Sequence, residues 1–240
     1  MRKFGLIGRS LKHSFSKIYF EEKFKREGLD CSYELFELQD VSGIRGFISR
    51  NNLVGLNVTI PYKQDVMPFL DGIDEEAKEI GAVNTIRINK ILEGFNTDSR
   101  AFGKSLEEFF DVRGKEALIL GTGGASRAVA FALKKLGVDY LFVSRKPEVG
   151  EIGYADLNRE VMASHLIIVN ATPLGMFPDT HSYPEIPYEL LTREHLLYDL
   201  TYNPEETEFL RRGKERGAKT INGLRMLHLQ AEYSWQIWNS

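Results

Sequence analysis

Glu116-Ala117-Leu118-Ile119-Leu120-Gly121-Thr122-Gly123-Gly124-Ala125-Ser126-Arg127-Ala128 is the stretch on which the fold reading turns. Residues 116–120 read as a strand. They run into a glycine turn that opens an amphipathic segment, 125–136, which reads as a helix closed by Gly137. Glycines at 121 and 123 permit a tight turn and bring backbone N–H groups close to a pyrophosphate, whose charge the helix N-terminus favours. Thr122, Gly124 and Ala125 complete the candidate cradle. Ser126 stands where the strict pattern has a third glycine, so a plain strand-to-helix turn remains the competing reading of the loop alone.

Downstream, the next strand ends Val143-Ser144-Arg145-Lys146. Chains selective for NAD usually carry an acid here to bind the ribose hydroxyls. Arg145 and Lys146 instead attract a 2′-phosphate, and an arginine also stacks on adenine. The position favours NADP over the alternative of two solvated basic residues. Residues 140–144, 166–171 and 196–201 read as buried parallel strands. Residues 204–216 read as a helix with Pro204 at its start and Gly217 at its end, and 223–238 as a final amphipathic helix.

Upstream, strands are expected at 4–8, 32–38 and 53–59, with a helix from about Ser16 to Glu27 stopped by Gly28. Residues 83–88 and 91–95 read as a hairpin across Asn89-Lys90. A helix follows from Asp98 to about Phe110. The alternation predicts an α/β protein. The chain is expected to divide near Asp98, with the last helix returning to the first half.

Composition narrows the function classes. Thirty-one Lys+Arg against 34 Asp+Glu give a net charge of −3 over 240 residues, which argues against a groove for nucleic acid that depends on bulk positive charge. The single cysteine, Cys31, excludes a disulfide framework and a cysteine-clustered zinc site, and points to a reducing, cytoplasmic setting. No apolar run approaches a membrane span or a signal peptide. His13, His165, His181, His195 and His228 are scattered without metal-ligand spacing, so no metal is expected. Trp235 and Trp238 read as packing anchors.

Four polar clusters in the first half stand out. Ser14-Phe15-Ser16 lies at a helix entrance, where two hydroxyls and free N–H groups suit a small carboxylate. A serine N-cap is the plainer reading. In Asn57-Val58-Thr59-Ile60-Pro61-Tyr62-Lys63 the proline ends a strand and is read as starting a helix, which keeps Thr59 and Lys63 at one strand end. Asn84, in Gly81-Ala82-Val83-Asn84-Thr85, and Asp98, in Asn96-Thr97-Asp98, each have a structural reading as backbone partner or N-cap. Beside a dinucleotide loop, a Lys–Asp pair makes a proton-transfer unit.

These segments, with Asn170-Ala171-Thr172-Pro173-Leu174-Gly175-Met176, Tyr198-Asp199-Leu200-Thr201-Tyr202, Asn222-Gly223-Leu224 and Gln230, resemble the shikimate dehydrogenase family in order from residue 14 to 230. The resemblance implies a reversible, NADPH-dependent reduction of 3-dehydroshikimate to shikimate in aromatic amino-acid synthesis. It implies an N-terminal α/β substrate domain, residues 1–98 joined by the C-terminal helix 223–240. A Rossmann-like NADP-binding domain would occupy residues 99–222, with catalysis in the cleft between the two. Lys63 and Asp98 would be the catalytic pair. The substrate carboxylate would meet Ser14, Ser16 and Tyr202, and the ring hydroxyls Thr59, Lys63, Asn84, Asp98 and Gln230. Gly121 to Ala125, Ser144, Arg145, Lys146 and Thr172 would serve the coenzyme. Backbone at Leu200 and Gly223 would face the nicotinamide, and Glu75 matches an acidic position assigned to cofactor contact in some members. The chemistry agrees, since hydride addition to a ketone leaves an alkoxide that a lysine ammonium protonates, with Asp98 keeping that ammonium charged and oriented.

Two departures from the family pattern are visible. The family usually places a second basic residue three positions beyond Asn-Arg-Thr. Here that position is Val149, and Lys146 is the substitute, which implies a less strict NADP preference. Only 24 residues separate Arg145 from Asn170. Pro147, Gly150 and Gly153 do not sustain a helix, so a helical crossover is expected to be replaced by a short loop. The rival readings are a quinate/shikimate dehydrogenase of broader range and an inactive ligand-binding regulator. Partners are expected to be small molecules, with neither nucleic acid nor membrane, in a monomer or homodimer.

Overall fold

The computed structural model describes residues 1–11 and 14–240; His13, one of the scattered histidines from which no metal is expected, lies outside them. The chain forms two compact units, residues 1–98 with 228–240, and residues 99–227. Among the described residues no helix is long and apolar enough to cross a membrane.

The first unit runs β1 (Arg2–Gly8), α1 (Phe15–Glu27), β2 (Cys31–Glu37), α2 (Ile44–Asn51), β3 (Leu53–Val58), β4 (Gly72–Ile73), α3 (Glu75–Ile80), β5 (Thr85–Ile88) and β6 (Leu92–Phe95). Its sheet has the order β2-β1-β3-β5-β6-β4. β1 pairs in parallel with β2 and β3, while β5 is antiparallel to β3 and β6. Strand alternation builds two cores. Phe4 and Leu6 join Phe20 and Phe24 of α1 on one face, and Ile7 joins Ile44 and Ile48 of α2 on the other. Full burial of a side chain such as Phe4, with no exposure, contributes about 2–3 kcal/mol.

The second unit contains α4 (Asp98–Phe109) from Ser99 onward, β7 (Ala117–Leu120), α5 (Gly124–Lys135), β8 (Tyr140–Ser144), β9 (Glu151–Gly153), α6 (Arg159–Ser164), β10 (Ile167–Asn170), β11 (Leu196–Asp199), α7 (Glu208–Glu215), β12 (Lys219–Ile221) and the start of α8 (Leu224–Trp238). The sheet is parallel throughout, in the order β12-β11-β10-β7-β8-β9. This is a doubly wound sheet whose strand order reverses between β7 and β10, where such sheets take their ligands. β7, β10 and β11 are buried along their whole length, as strands covered on both faces must be. From His228 onward α8 belongs to the first unit. There Ala231 and Trp238 pack with Phe4 and Phe20, and Trp238 Nε1 donates to Ile86 O at 3.1 Å. Gly55 makes that approach possible: a Cβ there would stand 2.6 Å from Trp238 Cδ1.

Two local expectations are corrected, and a third is found as expected. Pro61 starts no helix; residues 60–66 form turns, ahead of a 3₁₀ turn at Met67–Phe69. The helix expected from Pro204 begins at Glu208, because Thr207 takes the N-cap and accepts from the Leu210 N–H. The expected short loop is present in place of the helical crossover, and a strand follows it. Residues 145–150 replace the helix after β8, yet β9 still pairs in parallel with β8, Phe142↔Glu151 to Ser144↔Gly153. A parallel neighbour ordinarily needs a crossover of a dozen residues. Six suffice because β9 meets only the last three residues of β8, and Gly150 turns the chain with φ 89°. The six-residue α6 then leads into β10.

Candidate active site

In the first unit the register sets Asn57 of β3 opposite Thr85 of β5, and Thr85 opposite Phe95 of β6. Asn84 and residues 96–98 therefore lie just past that row, where three strand ends meet. Lys63 reaches the same place from the turn after Pro61. Its backbone is fixed on both sides: Tyr62 is 2% exposed with its phenol donating to Leu38 O, and Lys63 O accepts the Val83 N–H at 2.8 Å. Lys63 Nζ donates to Asp98 Oδ2 at 2.7 Å, with the two side chains 17% and 10% exposed. An ammonium has three donors, so two remain after this bond for other partners.

Asp98 is held at its other oxygen as well. Asn84 Nδ2 donates to Asp98 Oδ1 and to Thr97 Oγ1, each at 2.9 Å, while Asn84 Oδ1 accepts the Thr97 N–H at 2.8 Å and the Thr85 hydroxyl at 3.0 Å. A ring-hydroxyl contact by Asn84 would exchange one of these bonds for the ligand. The Asp98 carboxylate thus faces Lys63 and Asn84, and its own N–H goes to Asn96 Oδ1 at 3.0 Å.

A second line of bonds ties in the remaining polar residues. Ser14 sits at the N-cap of α1 with extended backbone, but its hydroxyl makes no capping bond, contrary to the plainer reading. The buried Tyr33 phenol, whose pKa burial pushes up, donates to Asn57 Oδ1 at 2.8 Å. Asn57 Nδ2 donates to Ser234 Oγ at 2.9 Å, and Ser234 donates to Gln230 O at 2.9 Å. Tyr33 of β2 and α8 at Gln230 are thereby linked through Asn57 and Ser234. Thr59 is half-buried just after β3, its N–H on Ile7 O at 2.9 Å. Glu75 is exposed in the first turn of α3, where an acid suits the helix field.

In the second unit Gly121 turns the chain with φ 101°, and a Cβ there would stand 3.1 Å from Thr172 Cγ2. Gly123 caps α5 with no side chain, and a Cβ at Gly123 or Gly124 would meet only open space. Thr122 is exposed and Ala125 half-buried. Ser126 is fully buried, and its hydroxyl has no partner among the described residues. Ser144 Oγ accepts the Lys146 N–H at 3.2 Å, and Arg145 and Lys146 are exposed. A left-handed glycine, an uncapped helix N-terminus and two solvent-facing cations fit a phosphorylated dinucleotide. Tyr202 is half-buried after Thr201.

Sequence reasoning gave no role to Asp199, the carboxylate that organises the ends of β10 and β11. It is fully buried, and burial pushes its pKa up to about 6 against the opposing pull of its hydrogen bonds. The signal was present, since an acid closes the apolar run Leu196-Leu197-Tyr198. His165 and His195 serve structure: His195 Nε2 meets Met162 O at 2.9 Å, and His165 Nδ1 meets Val161 O at 2.9 Å. No cluster of metal-ligating side chains occurs among the described residues.

Comparison with known proteins supports one family. The family model described as the shikimate dehydrogenase substrate binding domain matches residues 6–86. The shikimate dehydrogenase (NADP(+)) of Desulforamulus reducens is 40% identical over 261 residues, covering 98% of this chain and 88% of the relative. The crystal structure of shikimate dehydrogenase 1 from Peptoclostridium difficile is 39% identical with a TM-score of 0.88, over 100% of this chain and 92% of that one. The shikimate 5-dehydrogenase from Thermus thermophilus, solved in complex with NADP(H) and shikimate, is 33% identical with a TM-score of 0.88, over 99% and 93%. With its doubly wound second sheet and near-complete coverage of these relatives, the chain belongs to the shikimate dehydrogenase family.

Proposed function

We propose that this protein catalyses the reversible, NADP-linked interconversion of shikimate and 3-dehydroshikimate. The observation that carries the reading is the Lys63–Asp98 pair, largely buried at 2.7 Å and braced by Asn84, in a chain whose second unit carries the glycine loop and the Arg145-Lys146 pair. Gly121–Ala125, Ser144, Arg145, Lys146 and Thr172 would hold the coenzyme, which would supply or accept the hydride.

Lys63 moves the proton. In reduction its ammonium donates from Nζ to the oxygen on which negative charge develops, and in oxidation the neutral amine accepts the proton from the hydroxyl. Asp98 fixes the direction of Nζ and balances its charge, and Asn84 fixes Asp98. Ser14, Ser16 and Tyr202 bind the substrate carboxylate, while Thr59 and Gln230 read ring hydroxyls alongside the catalytic pair. The lone thiol of Cys31 suits a reducing, cytoplasmic compartment.

Nicotinamide absorbance, followed with purified protein, shikimate or quinate, and NADP or NAD in all four combinations, tests the reading. Shikimate with NADP is expected to turn over fastest. Faster quinate turnover overturns the substrate, faster NAD turnover overturns the coenzyme, and no turnover in any combination overturns the enzyme.

A further inference from the structure

The second unit buries a carboxylate at a strand end that an apolar side chain would close without desolvating a charge. Asp199 Oδ1 accepts from Asn170 Nδ2 at 3.1 Å and from the Thr201 N–H at 2.9 Å; Oδ2 accepts from Thr207 Oγ1 at 2.6 Å. Two of the three partners carry pieces of the surface assigned above to the coenzyme. Asn170 Oδ1 accepts both the Thr172 N–H, at 3.1 Å, and the Thr172 hydroxyl, at 2.6 Å. Asn170 O accepts the Leu200 N–H at 3.0 Å, and Thr201 O accepts the Gly223 N–H at 3.0 Å. Thr207 also caps α7.

Thr172, Leu200 and Gly223 come from three separate loops, yet each is one hydrogen bond removed from a partner of the same carboxylate. We propose that Asp199 is a positioning residue for the coenzyme: itself fixed by Thr207, it holds Thr172, Leu200 and Gly223 in one arrangement through Asn170 and Thr201. With no exposed surface, it acts without touching the coenzyme. A carboxylate suits the task because its two oxygens accept several bonds at once, whereas an amide in the same space presents an N–H₂ group to one of these donors. The proposal rests on the NADP-linked reading above.

The test compares Asp199→Asn, Thr207→Val and Thr207→Ser with the parent. NADPH dissociation constants are read by fluorescence titration well below the melting temperature, and KM is measured for NADP and for shikimate. Asp199→Asn and Thr207→Val are expected to weaken NADPH binding and raise the NADP KM by roughly tenfold or more, since the first removes the buried charge that its donors meet and the second removes one of those donors. The shikimate KM stays near the parent value, and Thr207→Ser, which keeps the hydroxyl, restores the parent constants. A merely structural role lowers the melting temperature but leaves NADPH affinity of the folded variants unchanged, and that result overturns the proposal. If Thr207→Val does not fold, the near-isosteric Asp199→Asn decides on the same readout. A parent protein that binds no NADPH overturns the NADP-linked reading and this proposal with it. A parent that binds NADPH alongside variants of equal affinity overturns the proposal alone.

Discussion

Gly223→Ala adds one methyl group where the structure leaves no room. The new Cβ would stand 2.1 Å from Leu200 O and 2.7 Å from Leu200 C. Carbon and oxygen in non-bonded contact settle near about 3.3 Å, so roughly 1 Å of movement is required. Neither side yields freely. Leu200 N is bonded to Asn170 O at 3.0 Å, Gly223 N to Thr201 O at 3.0 Å, and Gly223 O accepts from Leu227 N at 2.9 Å. Overpacking of this kind costs about 1–3 kcal/mol, and loss of one backbone hydrogen bond adds about 1 kcal/mol. At about 2–4 °C per kcal/mol for a protein of this size, the melting temperature is expected to fall by roughly 5–15 °C. The same displacement moves the Leu200 backbone, so the NADP KM rises as well. Gly43→Ala is the control: a Cβ there meets nothing within 4 Å, the backbone has φ −93°, and the change is expected within about 0.5 kcal/mol. Circular dichroism melts of both variants, with NADP kinetics, check the claim. If Gly223→Ala melts like Gly43→Ala and keeps the parent KM, the steric reasoning is refuted.

Asn84→Ala removes the bonds that brace Asp98 and leaves the buried Thr97 N–H unsatisfied, so urea unfolding is expected to show a loss of about 2–4 kcal/mol. A loss below about 0.5 kcal/mol counts against the network. Asp199 makes stability depend on pH. Its folded pKa of about 6 lies above the reference value of 3.8, so the folded state holds more protons between these values and stability falls as pH rises through that window, by about 3 kcal/mol in all, then levels off. Urea unfolding of the parent and of Asp199→Asn at about pH 4.5 and pH 7 checks this. The parent should lose stability relative to the variant at the higher pH, and an equal difference at both contradicts it.

Much of the fold was legible because both halves repeat a local signal. Apolar runs such as Ala117–Leu120 and Ile167–Asn170 are buried on both faces, and Gly28, Gly81, Gly137 and Gly217 adopt the left-handed conformation that ends or follows a helix. The short helices α2 and α3 were missed because eight and six residues give the helical period too few turns to register. The start of α7 was misplaced because Pro204 and Thr207 are both start signals, and the threonine won by also bonding Asp199. Lys63, Asp98 and Asn84 were legible from motif order. The scaffold behind them was not, because Asn57 meets Thr85 across 28 residues and Ser234 across 177, separations that only the sheet register and the return of α8 close.

The central claim is that Lys63 moves the proton. The most direct measurement is kcat for shikimate oxidation by Lys63→Ala, together with its shikimate dissociation constant by calorimetry. Asn84 still bonds Asp98 in this variant, so the carboxylate keeps a partner. Loss of a general acid–base is expected to lower kcat by about 10²–10⁴-fold while shikimate binding stays largely intact. An unchanged kcat would remove Lys63 from the mechanism.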